Sequence, residues 1–150
     1  TVNQNLPESK GSIHIKSKNP EEYPSIKYNF LSSQLDRDTL IAGVKLIRKL
    51  MQSGHMKEFC DNEIQPGYEA STDNDILEFI RNKAETLYHP SGTCKMGFDQ
   101  ESVVDKNLKV HGIKGLRVAD ASIMPTLVSG NTNAVCMMIG ERCADFILNS

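Results

Sequence analysis

The stretch from Leu116 to Ala134, LRVADASIMPTLVSGNTNA, constrains this chain more than any other. Leu116, Val118 and Ala119 make a short apolar run that Asp120 ends. Ser122, Pro125, Ser129 and Gly130 are loop residues, and from Asn131 the chain turns apolar again, with no proline and only Gly140 before its end. The layout is a strand, a tight loop and the opening of a buried helix. Such an arrangement sets a helix N-terminus against a ligand at the carboxyl end of a sheet. A second stretch, His89 to Gly97 (HPSGTCKMG), reads as a loop carrying one histidine. The two stretches are expected to face each other across one bound group.

At 150 residues the chain has the length of one domain with a real core. A net charge of −2 without a long basic block gives no case for nucleic acid or an anionic membrane. The longest apolar run, Ala134 to Ile139, is too short to span a bilayer, and no stretch reads as a signal or transit segment. The opening TVNQNLPESKG starts at Thr1 and reads as the middle of a longer polypeptide. Cys60, Cys94, Cys136 and Cys143 form neither a CxxC nor a zinc-finger spacing. Cys136 and Cys143 share a helix face two turns apart, too far to bridge, so all four are expected as free thiols.

Hydropathy periods organise the rest. In Gly11–Ser17, Ile13 and Ile15 alternate with Ser12, His14 and Lys16, which predicts a half-buried strand. A polar turn with two prolines follows, then Ser25–Leu31, with Ile26, Tyr28 and Phe30 on one face. Two such strands joined by a polar loop predict an antiparallel sheet. His14 falls on its polar face. Leu40, Val44, Ile47 and Met51 predict a helix over Asp36–Met51, with acidic residues in its first turn, basic ones in its last, and Ser53-Gly54 as the stop. His55 lies just beyond, a surface residue, and Phe59–Ala70 shows no period and reads as a loop. A second helix is expected over Asp73–Leu87, opened by a Thr72–Asp75 capping box and striped by Leu77, Ile80, Ala84 and Leu87. Pro90 stops it near Tyr88, so His89 should emerge at a helix end. Short strands are expected at Val103-Val104 and Leu108–Val110, with turns at Lys106-Asn107 and His111-Gly112. A closing helix should run from Thr132 to Leu148, its first half (AVCMMIG) apolar all round and therefore buried.

Taken singly, the polar residues of the two stretches are ambiguous. A histidine before proline at a helix end serves as a cap as readily as a catalyst. An asparagine at a helix start is a good N-cap, and Asp120 suits either a cap or a ligand contact. The combination HPSGTCKMG followed by VVDKNLKVHGIKGLRVADASIMPTLVSGNTNA is far more specific. It resembles the C-terminal part of the glucose–methanol–choline (GMC) flavoprotein oxidoreductases. The likeness runs back through the capped helix before His89 to ESKGSIHIKSKNPEEYPSIKYNFLS, which looks like the family's first C-terminal strands. LYHPSGTCKMG with DASIMPTLVSGNTNA looks most like the insect members, which include glucose dehydrogenases and ecdysone oxidase.

The resemblance implies an α+β fragment in two parts. Residues 1–115 would form the substrate-binding region, an antiparallel sheet with flanking helices. Residues 116–150 would be a final strand and helix that return to a Rossmann-like FAD domain. It also implies FAD as cofactor and FAD-dependent oxidation of a substrate hydroxyl. His89, in the HP-x-GT position, would take the hydroxyl proton while the carbinol carbon passes a hydride to flavin N5. An imidazole, titrating near ~6.5 in free form, suits a base at neutral pH. Asn131, at the family's second His/Asn position, would orient the substrate oxygen; an amide cannot titrate, so this site has one base. Backbone amides of Thr132 and Asn133 would face the pyrimidine side of the flavin, with Asn131 beside them. There the helix N-terminus would stabilise the reduced ring. Asp120 and Ala121 match positions near the ribityl–phosphate region, and Cys94 reads as a structural thiol.

No G-x-G-x-x-G occurs, so the ADP half of FAD must be held by an N-terminal FAD-binding part of the same protein. In isolation the chain is expected neither to fold stably nor to bind FAD tightly. The substrate class is a small-molecule alcohol, sugar or sterol, and the electron acceptor oxygen or quinone. A secreted, extracellular location is a family expectation. Two rival readings stand beside this one. A non-catalytic GMC-like binding or structural module would leave His89 and Asn131 as incidental caps. A metal-dependent hydrolase using His89, His111 and cysteines finds no metal-ligand spacing in the sequence, so no metal is expected.

Overall fold

Alternation along Ser12–Lys27 produces a two-stranded antiparallel sheet, β1 (Ser12–His14) and β2 (Ser25–Lys27), in the register Ser12–Lys27, Ile13–Ile26, His14–Ser25. The computed structural model describes residues 1–149. Between the strands, Asn19 and Ser17 side chains accept backbone N–H groups of Glu21 and Asn19 and shape the turn. Gly11 is required by close approach: a Cβ there would run into the carbonyl oxygens of Lys27 and Tyr28. Both strands are shorter than their alternation predicts. Asn29 adopts a left-handed conformation (φ 56°) and donates from Nδ2 to Lys10 O, which ends the ladder at Lys27. Tyr28 and Phe30 then stack on each other, centroids 5.1 Å apart. The expected half-burial of the apolar face is also corrected, since Ile13, Ile15, Ile26, Tyr28 and Phe30 all stay exposed.

Next comes α1 (Gln34–Met51), followed by the four-residue α2 (Met56–Phe59) and α3 (Asp73–Lys83). Ile41 of α1 meets Ile76 and Ile80 of α3, with Leu31, Leu40, Val44, Leu77 and Phe79 around them. Ile76, which the expected stripe passed over, is the most buried of these. The Thr72–Asp75 capping box is formed as expected, hydroxyl to backbone and carboxylate to backbone. The other end differs from expectation. Ala84 turns to an extended conformation, and Leu87 is exposed rather than part of the stripe. Beyond Ile80 no further α3 residue is buried, so nothing sustains the helix to Leu87. His55 is an exposed N-cap of α2, as its place predicts.

Two polar groups, one partly buried and one buried, hold this first unit, Thr1–Thr86. Arg48 clamps Glu63 through Nε and Nη2, and donates to the carbonyls of Gly67 and Ala70. Asp36, buried in α1, accepts the backbone N–H groups of Glu8 and Ser9 at 2.9 and 2.8 Å. Burial works against its ionisation, but the Ser9 hydroxyl and these two N–H groups outweigh it and hold the carboxyl below the usual range. A depressed native pKa means that the carboxylate's stabilisation is complete above the unfolded value, near 3.8, and is lost as pH falls through the native one. Asp36→Asn should therefore lower stability at neutral pH by about 1–3 kcal/mol. Urea midpoints of variant and parent should converge in acid; a gap that stays constant with pH would contradict the assignment.

The second unit begins at Leu87. Its core joins Val104, Leu108, Ile123 and Met124 to Ile139 and Cys143 of α4 (Asn133–Leu148). The expected short strands at Val103-Val104 and Leu108–Val110 reduce to isolated bridges, Met96 with Val104 and Val104 with Val110. Asp105 caps the turn between them, accepting from the N–H groups of Asn107 and Lys109. The expected strand at Leu116–Asp120 is likewise a single bridge, Lys109 with Arg117, followed by a 3-10 turn at Ala121–Ile123. A ladder needs a partner along its length, and the partner strand here spans little more than Leu108–Val110. One further expectation fails: AVCMMIG is not buried all round. Only one side of α4 meets the core, and Met137 and Met138 remain exposed.

Candidate active site

His89 reaches its place on a segment without helix or strand, not at a helix end, because α3 stops at Lys83 and Tyr88 turns to a left-handed conformation (φ 59°). The segment docks on the 3-10 turn through three backbone bonds: Gly92 N–H to Ala121 O, Cys94 N–H to Ser122 O and Met96 N–H to Ile123 O. Gly92 sits at φ +83°, and a Cβ there would stand 3.3 Å from Met124 O, so glycine lets the segment pass close to the turn. Asp120 holds the turn itself, accepting from Ser122 N–H at 2.7 Å. The two sequence stretches are thus stitched side by side. Cap geometry, one of the two roles open to Asp120, is the one its Oδ1 performs.

The imidazole of His89 lies between two consecutive side chains at the opening of α4. Its Nδ1 is 3.0 Å from Thr132 Oγ1 and its Nε2 is 3.3 Å from Asn131 Oδ1. His89 is half-buried, Thr132 buried and Asn131 exposed, so the Nε2 contact is the more exposed of the two. Of the expected site residues, His89, Asn131 and Thr132 are brought into direct contact. Asn133 begins the helix beside them, and Asp120 and Ala121 lie on the turn that carries the histidine segment.

Thr132 occupies the N-cap of α4, yet its hydroxyl makes no cap bond. The first helical bond is Cys136 N–H to Thr132 O, which leaves the amides of Asn133, Ala134 and Val135 without a partner among the described residues. These donors, with about half a unit of positive charge at a helix N-terminus, make a site for electron-rich ligand atoms next to the imidazole. The chemistry of this donor set fits the ring end of a flavin. The hydroxyl of Thr132 is the functional group that the sequence did not single out; its residue was expected to act through its backbone. A threonine next to the candidate asparagine was the only signal. His111, by contrast, ties its own loop down, Nε2 to Gly97 O at 3.0 Å. All four cysteines are free, and among the described residues no cluster of three His, Cys, Asp or Glu is placed to hold a metal. No described helix is long and apolar enough to cross a membrane.

A helix N-terminus with open donors thus stands beside a histidine and an amide, a donor set suited to electron-rich ligand atoms. Residues 7–140 match the family profile described as GMC oxidoreductase. This chain belongs to the GMC oxidoreductase family and corresponds to its C-terminal part. It is 46% identical over 139 residues to the oxygen-dependent choline dehydrogenase of Escherichia coli, covering 93% of this chain and 25% of that protein. Among solved structures, pyridoxine 4-oxidase from Mesorbium loti superposes with a TM-score of 0.89 at 29% identity, over 97% of this chain and 28% of that one. An FAD-dependent oxidoreductase from Chaetomium thermophilum follows at 0.84 and 31% identity, over 91% and 24% of the two chains. The chain therefore spans about a quarter of the length of the curated relatives it matches.

Proposed function

We propose that this chain supplies the substrate-side acid–base machinery of an FAD-dependent oxidation of a substrate hydroxyl. The observation that carries the reading is the placement of His89 against Asn131 at the open N-terminus of α4. FAD, when bound, supplies the acceptor for the hydride that leaves the carbinol carbon. His89 receives the hydroxyl proton at Nε2, the nitrogen on the exposed Asn131 side. Asn131 orients the oxygen through its amide. Amides of Thr132, Asn133 and the residues after them present fixed donors where negative charge develops. Asp120 and Ala121 are proposed to approach the ribityl–phosphate region, with Asp120 Oδ2 free for it among the described residues while Oδ1 caps the turn. The adenosine half would be held by an N-terminal FAD-binding part of the same polypeptide, to which residues 116–150 return, residues 1–115 forming the substrate region.

The substrate is a small-molecule alcohol, sugar or sterol, and the acceptor oxygen or a quinone. The likeness of LYHPSGTCKMG and DASIMPTLVSGNTNA to insect members favours glucose or an ecdysteroid, with secretion as the matching location. Identity of 46% to a choline dehydrogenase brings choline into the same comparison. Anaerobic mixing of the complete flavoprotein with glucose, an ecdysteroid, choline and short alcohols should bleach the flavin with one of them. A protein that takes up no FAD would favour a non-catalytic module instead.

A further inference from the structure

We propose that Thr132 is a positioning residue whose hydroxyl lets His89 change which nitrogen carries its proton, so that the resting site keeps its base masked until substrate arrives. The inference rests on the reading of His89 as the base. In the resting arrangement Nε2 faces Asn131 Oδ1 at 3.3 Å. An amide oxygen only accepts, so Nε2 carries the hydrogen and donates it. A neutral ring then has a bare Nδ1, and Thr132 Oγ1, 3.0 Å away, donates its hydroxyl hydrogen to it. In this state Nε2 has no lone pair to offer. For His89 to accept a substrate proton at Nε2, the hydrogen must sit on Nδ1 instead. Thr132 must then accept, and the Asn131 amide must turn its Nδ2–H toward the reacting oxygen.

A hydroxyl is the side-chain group that serves both states. It donates to a bare Nδ1 and, after rotating about its C–O bond, accepts from a protonated one. A carboxylate in its place would lock the ring in a single tautomer, as acidic orienting partners do. The same hydroxyl also accepts from Nδ1–H when the ring becomes a cation on taking the proton. Two further observations support the assignment. Thr132 stands at an N-cap, where a threonine hydroxyl ordinarily accepts a backbone N–H of the first turn, and here it makes no such bond. Thr132 is also buried, so water does not compete for the Nδ1 contact.

The test uses the complete flavoprotein with 15N-labelled histidine, alongside Thr132→Val, Thr132→Ser and His89→Gln. In resting parent protein under alkaline conditions, Nδ1 of His89 should resonate as an unprotonated, hydrogen-bonded nitrogen and Nε2 as a protonated one. In Thr132→Val the Nδ1 resonance should move to that of a bare nitrogen. Its maximal rate of flavin reduction should fall about ten- to a hundredfold, the worth of one hydrogen bond to a charged partner, with KM changed much less. Thr132→Ser should restore both readouts. Thr132→Val at the parent rate, with His89→Gln slow, overturns this proposal and leaves the base reading intact. His89→Gln at the parent rate overturns both. Should Thr132→Val lose its flavin, the parent spectrum decides alone, because a resting Nδ1–H contradicts the masked arrangement.

Discussion

Replacing His89 by alanine is expected to slow flavin reduction by the alcohol substrate about 10²- to 10⁴-fold, the range for removing a positioned general base. The loss should fall on kcat and kcat/KM alike, because the proton moves only in the transition state. Nothing in the packing predicts a folding defect. His89 is half-buried, lies outside the core cluster, and is held by one hydroxyl and one amide. The variant should therefore purify yellow, with an unchanged thermal midpoint. Stopped-flow mixing under anaerobic conditions reads the rate directly. A variant that reduces as fast as the parent would leave His89 a structural residue and pass the role of base to a group outside this site.

Arg48→Ala should be the most damaging single substitution in the first unit, costing about 3 kcal/mol, as when one partner of a buried ion pair is removed. Three acceptors converge on this guanidinium: Glu63, Gly67 O and Ala70 O. Its side chain is 17% exposed and that of Glu63 14%, so little water reaches either charge once the other is gone. Removing Arg48 alone leaves Glu63 charged and shielded and the Ala70 carbonyl without its donor, while Gly67 O keeps the Ala70 N–H. Removing both charges, in Arg48→Met with Glu63→Gln, should cost clearly less than Arg48→Ala. That inequality separates stranded charge from lost packing. Urea midpoints of the complete protein measure it, and equal losses would mean that the pair adds nothing beyond volume. The predicted clamp also explains how residues 60–70, which carry no helix or strand, keep one path across the end of α1.

Much of the architecture follows from local chemistry alone. The period of α1, the Thr72–Asp75 capping box and the closing helix depend on residues within a few positions of one another, and the pairing of β1 with β2 on two alternating runs joined by one turn. Such signals survive in a linear text. The errors share one origin. The reach of α3 was overextended because Leu87 and Ala84 continue its period, although no core residue waits for them. Composition predicts burial of AVCMMIG, whereas Met137 and Met138 are exposed among the described residues. The Leu116–Asp120 strand was read from apolar residues whose partner provides a single bridge.

The site divides along the same line. By itself the sequence determined the family and singled out His89 and Asn131 as the candidates for its chemistry, in stretches whose wording is specific to one family. Residue type and order suffice for that, since an imidazole, an amide and a helix start hold their properties wherever the chain goes. Only the tertiary structure decided how they meet. Three backbone bonds from the 92–96 segment to the Ala121–Ile123 turn span sequence separations that no periodicity encodes. They bring the ring between Asn131 and Thr132, more than forty positions away, and give a threonine hydroxyl to Nδ1 instead of to its own helix. A hydroxyl has several partners within reach in the unfolded chain, and packing alone selects one of them.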